Sequence, residues 1–124
     1  MRFERDRSPD GPLINGFARG GFRVDENIYR ALLITAHRAD GWTPPPLDGL
    51  DIAALAPVLA LDPGPEFLLL GTGAKLVRPP LALIAALEAR GIGVEAMDSR
   101  AAARAWSVLR GEGRWIVGAL YPLG

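Results

Sequence analysis

Two buried-strand patterns in the second half of the chain constrain its fold most strongly. Residues 67–70 form an apolar run that ends at Gly71-Thr72-Gly73, and residues 91–98 form a second run that ends at an aspartate. A helical pattern lies between them, so they predict neighbouring parallel strands joined by a crossover helix. Ligands and partners of such sheets gather outside the carboxyl ends of the strands. The crevice between these two strand ends is therefore the first candidate for a functional site.

The residues at and beside these strand ends carry the candidate chemistry. They are Gly71, Thr72, Gly73, Lys75, Arg78, Asp98, Ser99, Arg100 and Arg104. The glycine turn lacks the third glycine of a dinucleotide fingerprint, and Lys75 precedes a leucine instead of the Ser or Thr of a phosphate-binding loop. Two interpretations stay open: a tight strand exit that needs glycine, or a weak anion site formed by loop N–H groups with Lys75 and Arg78.

No combination of residues predicts catalysis. Asp98 is placed to cap a helix, although a role as general base or ligand is an alternative. Ser99 has no activating base near it in the sequence, and His37 is the sole histidine. A nucleophile needs a base and a group that orients the base. The sequence therefore predicts no catalytic residue, no metal site and no cofactor, since a single histidine without any cysteine also disfavours a metal cluster.

Composition excludes several classes of protein. The 124 residues predict one α/β domain over residues 1–124, with residues 1–12 as a candidate flexible segment. Fourteen basic and fourteen acidic residues cancel, so we expect no nucleic-acid partner. No apolar run approaches the ~18 residues of a spanning helix. Residues 1–6 lack the apolar core of a secretory signal, and their acidic residues argue against a mitochondrial one, so we expect a cytoplasmic protein that is a monomer or a weak homodimer.

The first half of the chain reads as β-rich, because short apolar pieces alternate with Gly, Asn and Asp. The pattern predicts strands at residues 13–17, 21–24 and 28–36. The last of these is apolar on both faces and should be central in a sheet. Trp42 lies beside three prolines, where it is either an exposed recognition residue or a lid over the sheet edge.

The second half predicts three helices, near residues 52–61, 80–90 and 99–110, and a final strand at 115–121. Pro57 must kink the first helix or delay its start. On the third helix, Ala102, Ala105, Trp106 and Leu109 form the predicted buried face. Arg100 and Arg104 lie four residues apart on the opposite, solvent-facing side.

Three segments together resemble a known family. A small uncharacterised α/β family has similar residues at 68–73, at 90–104 with their Met-Asp-Ser-Arg-Ala-Ala segment, and at Leu109, Gly113-Arg114 and the closing Ala119-Leu120. That family includes a mitochondrial respiratory complex I assembly factor and an adipogenesis-associated protein. The resemblance implies a three-layer fold with a mixed central sheet, helices on both faces, one antiparallel strand and a small β-rich N-terminal portion. It implies no established catalysis. Trp106-Ser107 stands where many members carry a tyrosine–asparagine pair.

Two functions follow as hypotheses. The preferred one is a non-catalytic protein-interaction or complex-assembly role, related to respiratory complex assembly, with Arg100, Arg104 and the segment 42–46 facing an unknown protein partner. The alternative is a small-molecule or anion-binding protein, or an enzyme of unknown reaction, that uses the strand-end crevice. The resemblance and the lack of a catalytic set favour the first.

Overall fold

The computed structural model describes residues 11–124, and the chain begins there with a small antiparallel sheet. Its strands are β1 (Gly16–Ala18), β2 (Gly21–Val24) and β3 (Asn27–Tyr29). Strand β1 begins later than predicted for residues 13–17, while β2 matches its prediction. The signal-sequence interpretation of residues 1–6 and most of the candidate flexible segment lie outside the described residues.

A five-stranded mixed sheet forms the centre of the fold. Its strands are β4 (Leu32–Ile34), β5 (Ala39–Gly41), β6 (Phe67–Gly71), β7 (Gly93–Met97) and β8 (Val117–Leu120), in the spatial order β5-β4-β8-β6-β7. Strand β6 pairs in parallel with β7 and β8, whereas β4 is antiparallel to both β5 and β8. Only β4 therefore runs against the other four strands of this sheet, which confirms the predicted mixed sheet.

In the described part of the chain, three α-helices accompany the sheet: α1 (Ala56–Leu59), α2 (Leu81–Glu88) and α3 (Ser99–Gly111). The last two match their predicted positions to within about two residues. The first prediction was too long, because residues 53–55 form a 3-10 turn and α1 starts only at Ala56. Pro57 then falls in the first helical turn, where its missing N–H has no intrahelical partner to lose.

The large sheet has a separate hydrophobic core on each face. Leu69 of β6 faces α3 and the small sheet, where Trp106 fills the centre of the layer. Its neighbours Leu68 and Leu70 face α1 and α2. Leu69 and Val117 are fully buried. Successive side chains of β6 therefore point to opposite faces and contribute to both hydrophobic cores. The predicted three-layer α/β fold is confirmed.

The predicted strand at residues 28–36 was wrong as a single strand. It splits at Arg30 into β3, which belongs to the small sheet, and β4, which belongs to the large one. Ile28 was expected inside but is 37% exposed. The charged Arg30 lies at the crossing between the sheets and is exposed. Residues 32–34 are buried on both faces, as expected for an interior strand.

Two further boundaries differ from the sequence prediction. The last strand, Val117–Leu120, is shorter at both ends than residues 115–121, and the N–H of Trp115 bonds to the carboxylate of Glu66. On α3, Ala102 and Trp106 are buried as predicted, but Ala105 and Leu109 are only half-buried. Ala103 and Arg110 are buried in addition. Within residues 11–124, no helix is long and apolar enough to cross a membrane.

Candidate functional site: the strand-end crevice and the arginine surface

The carboxyl ends of β6 and β7 lie side by side, as the sequence predicted. Gly71 is the register partner of Met97 at the last position of the two strands. The Thr72 N–H bonds to the Met97 carbonyl at 2.9 Å, and the Ser99 N–H bonds to the Gly73 carbonyl at 2.8 Å. Gly71, Thr72, Gly73 and Ser99 are therefore brought together, and backbone hydrogen bonds join the two strand exits.

Ser99 occupies the space between the strand ends. Its side chain is fully buried, its Oγ accepts the Gly73 N–H at 2.8 Å, and its hydroxyl donates to the Tyr121 carbonyl at 2.8 Å. A Cβ on Gly71 would lie 2.8 Å from this Oγ. Glycine at position 71 is thus required by close packing, which favours the tight strand exit over an open crevice at this point.

Thr72 organises the loop that follows β6. Its Oγ1 accepts the Val77 N–H at 3.0 Å and lies 2.7 Å from the Lys75 carbonyl and 3.2 Å from the Met97 carbonyl. Thr72 is buried, with 7% of its surface exposed. Lys75 and Arg78, in contrast, are exposed on the outside of the loop. The loop therefore keeps its shape through Thr72 and presents two cations to solvent.

Asp98 is the N-cap of α3. Its Oδ1 accepts the Ala101 N–H at 2.9 Å, and its backbone is extended, as expected for a capping residue. This contact accounts for an aspartate at the end of β7 without a chemical role. The structural interpretation of Asp98 is the one that the geometry supports.

Arg100 and Arg104 of α3 lie over one aromatic ring. Their guanidinium carbons are 4.9 Å and 5.9 Å from the centroid of Phe17, on strand β1. Cation–π contacts at this distance stabilise by about 0.5–1 kcal/mol at exposed sites. We call Arg100, Arg104 and Phe17 the arginine surface. Sequence reasoning identified both arginines but missed Phe17, because nothing in the local pattern places β1 beside α3.

Among the described residues, the arginine surface differs from two arginine–carboxylate ion pairs, because its charge is not paired. Arg38 forms a bidentate ion pair with Asp40, and Arg114 forms one with Glu66. These hydrogen bonds hold the pKa of Asp40 and that of Glu66 below their ordinary values. Within residues 11–124, neither Arg100 nor Arg104 contacts a carboxylate. The arginine surface thus carries positive charge that the described part of the chain does not neutralise.

Trp42 lies over the sheet edge. It is half-buried, its Nε1–H donates to the Leu120 carbonyl at 3.3 Å, and its ring meets Tyr121 edge-on at 5.7 Å. The Tyr121 hydroxyl donates to the Pro45 carbonyl at 2.7 Å. Burial, with a smaller contribution from the charge of Asp48, raises the pKa of Tyr121 to about 12. The structure therefore favours the lid interpretation of Trp42 and its proline segment.

The Trp106-Ser107 pair of α3 fastens the start of the described chain. The Trp106 Nε1–H donates to the Pro12 carbonyl at 3.0 Å. Ser107 Oγ accepts the Ile14 N–H at 3.0 Å and donates to the Ile14 carbonyl at 2.9 Å.

The sole histidine, His37, is exposed in the β4–β5 turn. No group of three His, Cys, Asp or Glu side chains that could hold a metal ion occurs among residues 11–124.

Comparison with known proteins agrees with this fold. The chain is 39% identical over 111 residues to an uncharacterized protein of Rhodobacter capsulatus, a match that spans 89% of this chain and 84% of the relative. It is 27% identical to NADH dehydrogenase [ubiquinone] 1 alpha subcomplex assembly factor 3 of Danio rerio, over 90% of this chain. That match spans 65% of the zebrafish protein, just under two thirds of its length.

A solved structure and a protein family match most of this chain. The solution structure of a Bordetella pertussis protein described as an Mth938-like domain matches with a TM-score of 0.77 at 27% identity, over 100% of this chain and 94% of that one. The family described as protein of unknown function (DUF498/DUF598) matches residues 14–121. This range includes both sheets, all three helices and the arginine surface, so the chain belongs to the DUF498/DUF598 family.

Proposed function

We propose that this chain is a non-catalytic protein-interaction or complex-assembly protein whose partner binds the arginine surface. The observation that carries the proposal is the pair of exposed guanidinium groups held over Phe17 with no carboxylate contact inside residues 11–124. Charges arranged in this way attract a complementary acidic surface and fix its orientation. The partner face that fits is an acidic one.

The closed strand-end crevice supports a role without turnover. A catalytic serine or threonine needs a free hydroxyl beside a base. Ser99 Oγ instead accepts from Gly73 and donates to Tyr121, and Thr72 Oγ1 is used in the following loop. The hydroxyl groups nearest the predicted crevice thus serve backbone hydrogen bonds.

The zebrafish relative gives the proposal a biological direction. Its name describes an assembly factor for NADH dehydrogenase, and the match covers 90% of this chain. A role for the present chain in the assembly of a respiratory complex is the finer form of the proposal. It predicts that the partner is a subunit or assembly intermediate of such a complex.

The test is a capture experiment on native cell extract with a matched charge control. We expect Arg100→Glu with Arg104→Glu to reduce recovery of the specific partner at least about tenfold, because attraction between complementary charges becomes repulsion. Arg30→Glu with Arg90→Glu makes the same change of net charge at exposed positions elsewhere and should leave recovery unchanged. Equal loss in both variants, or in neither, would contradict the proposal.

Stability and turnover measurements test whether a loss of partner recovery comes from unfolding and whether the chain has a catalytic activity. The two arginines are exposed, so each substitution should cost no more than about 1 kcal/mol of folding stability, and thermal unfolding checks this. Multiple turnover of a small molecule that depends on Asp98 would overturn the non-catalytic role.

The alternative function is anion binding at the loop after β6. Exposed Lys75 and Arg78 on a loop whose shape is maintained by Thr72 favour it. A titration with inorganic phosphate, followed through backbone amide signals, should then shift Gly73 and Lys75 before it shifts Phe17. Unmoved loop signals at millimolar phosphate would remove this alternative.

A further inference from the structure

We propose that a cavity beneath the β4–β5 hairpin binds a small molecule with an aromatic or apolar body and one carboxylate group. The cavity has a volume of about 610 Å³. Small-molecule sites in proteins range over roughly 300–1,000 Å³ and combine apolar walls with a few polar groups. This cavity is on the α1 face of the large sheet, whereas the arginine surface is on the α3 face. The inference is therefore independent of the proposed function.

The inner walls of the cavity are apolar. Leu33 of β4 and Val58 of α1 line it and are 5% and 2% exposed. Ala54, Pro45 and Pro57 line it as well. These side chains offer no hydrogen bond to a ligand, so the body that fits here is a hydrocarbon or an aromatic ring.

Trp42 gives the cavity a fixed aromatic wall. Its Nε1–H is held by the Leu120 carbonyl at 3.3 Å, and its ring packs edge-on against Tyr121. A side chain that is already ordered loses little conformational entropy when a ligand binds. Its flat surface favours an aromatic ligand, since offset or edge-on ring contacts contribute about 0.5–1.5 kcal/mol beyond burial.

The polar end of the cavity comes from alternation along the hairpin. Asp40 is the register partner of Leu33, and Trp42 N–H bonds to the Ala31 carbonyl, so Asp40 and Trp42 lie on the same face. Arg38 precedes them by the same spacing, and it also lines the cavity. Strand β5 and the two residues that flank it thus place a charged pair and an aromatic ring along one face.

Arg38 is suited to bind a carboxylate. Its Nε–H and one Nη2–H donate to the two oxygens of Asp40 at 2.7 Å and 2.8 Å. A guanidinium has five N–H groups, and the other three N–H groups of Arg38 donate to no residue of the described range 11–124. Asp40 holds the guanidinium plane in place, and a ligand carboxylate pairs well with two parallel N–H groups.

The test uses 2-naphthylacetate as the probe and the full chain labelled with nitrogen-15. We expect millimolar probe to shift the amide signals of Gly41, Ala54 and Val58, which line the cavity. The amide signals of Phe17 and Arg104 should stay in place. An unchanged spectrum, or shifts confined to the arginine surface, would overturn the proposal.

Two comparisons test the carboxylate. The neutral analogue 2-naphthylethanol should bind about tenfold more weakly, because it lacks the charge-assisted pair of hydrogen bonds. Arg38→Gln with Asp40→Asn removes the pair at constant net charge and should reduce the acid to the affinity of the alcohol. The control Glu88→Gln with Arg90→Gln, at the exposed end of α2, should change neither affinity. Equal binding of acid and alcohol to the unmodified chain would overturn the assignment of a carboxylate ligand.

A cavity-filling variant tests the location. Ala54 is half-buried in the 3-10 turn before α1, so Ala54→Phe should fill the space and abolish binding of both probes. Ala54→Leu is a smaller change that guards against misfolding. It should also weaken the binding of both probes. Undiminished binding to either folded variant would overturn the cavity as the site.

Discussion

At the residue scale, Ser99 links three parts of the fold. It contacts the exit of β6 through the Gly73 N–H and the end of β8 through the Tyr121 carbonyl, while it begins α3. No water can replace these bonds, because the side chain is fully buried. Ser99→Ala should therefore lower the free energy of unfolding by about 1–3 kcal/mol, measured by urea denaturation.

Ser107 provides the matched control for this substitution. It also makes two hydrogen bonds to the backbone, both with Ile14, but it is only half-buried. Solvent can satisfy part of what Ser107→Ala removes, so that variant should lose less stability than Ser99→Ala. The reverse order would contradict the role assigned to burial at the strand ends.

The raised pKa of Tyr121 predicts that folding stability falls at alkaline pH. Its pKa is raised to about 12 in the folded chain, above the ordinary value of 10.0. As the pH rises past 10, the unfolded chain loses this proton before the folded chain does, so unfolding becomes more favourable. The contribution of the neutral Tyr121 phenol to folding stability is complete below pH 10 and is lost as the pH approaches 12.

Tyr121→Phe isolates this effect. The variant loses the hydrogen bond to the Pro45 carbonyl, which should cost about 1 kcal/mol at neutral pH. It has no phenol to ionise, so its deficit relative to the unmodified chain should shrink between pH 8 and pH 11 in urea denaturation. A constant difference across this range would show that the phenol titrates normally.

At the scale of elements, Asp98 determines where α3 begins. Asp98→Ala removes the acceptor for the Ala101 N–H and should cost about 1 kcal/mol in thermal or urea unfolding. Asp98→Asn keeps an oxygen acceptor and should retain most of the stability. If capping α3 is the whole role of Asp98, both folded variants should bind the partner as the unmodified chain does.

The elements that the sequence predicted best are those with local signals. Strand β6, helix α2, strand β7 and helix α3 have clear apolar patterns and ends marked by glycine, proline or an N-cap, and their positions were confirmed. The segment 28–36 has no glycine or proline, so its apolar pattern predicted one strand. Only the tertiary arrangement, in which β3 and β4 join different sheets, explains the break at Arg30.

The candidate sites were predictable to different degrees. The backbone contact of the two strand ends follows from parallel pairing and was predicted. The contact of Phe17 with the α3 arginines depends on how the small sheet packs on α3, which no local pattern encodes. The alternation of Arg38, Asp40 and Trp42 is visible in the sequence, but the cavity exists only because α1 forms its other wall.

At the scale of the whole molecule, the central sheet separates two surfaces of different chemistry. The α3 face presents unneutralised guanidinium groups over an aromatic ring, and the opposite face contains the apolar cavity with its charge-paired rim. The hydrophobic side chains of the two layers form separate clusters on opposite faces of this sheet. We therefore expect substitutions on one face to leave binding at the other unchanged.

Native-state hydrogen exchange should reveal how these layers open. Strands β6 and β8 lie inside the five-stranded sheet with hydrophobic cores on both faces, so their amides should exchange only through global unfolding. The small sheet has strands of three or four residues and an exposed outer position at Ile28. Its amides should exchange through local opening that costs at least about 2 kcal/mol less than global unfolding. Equal protection of both sheets would instead mean that residues 11–124 open as one cooperative unit.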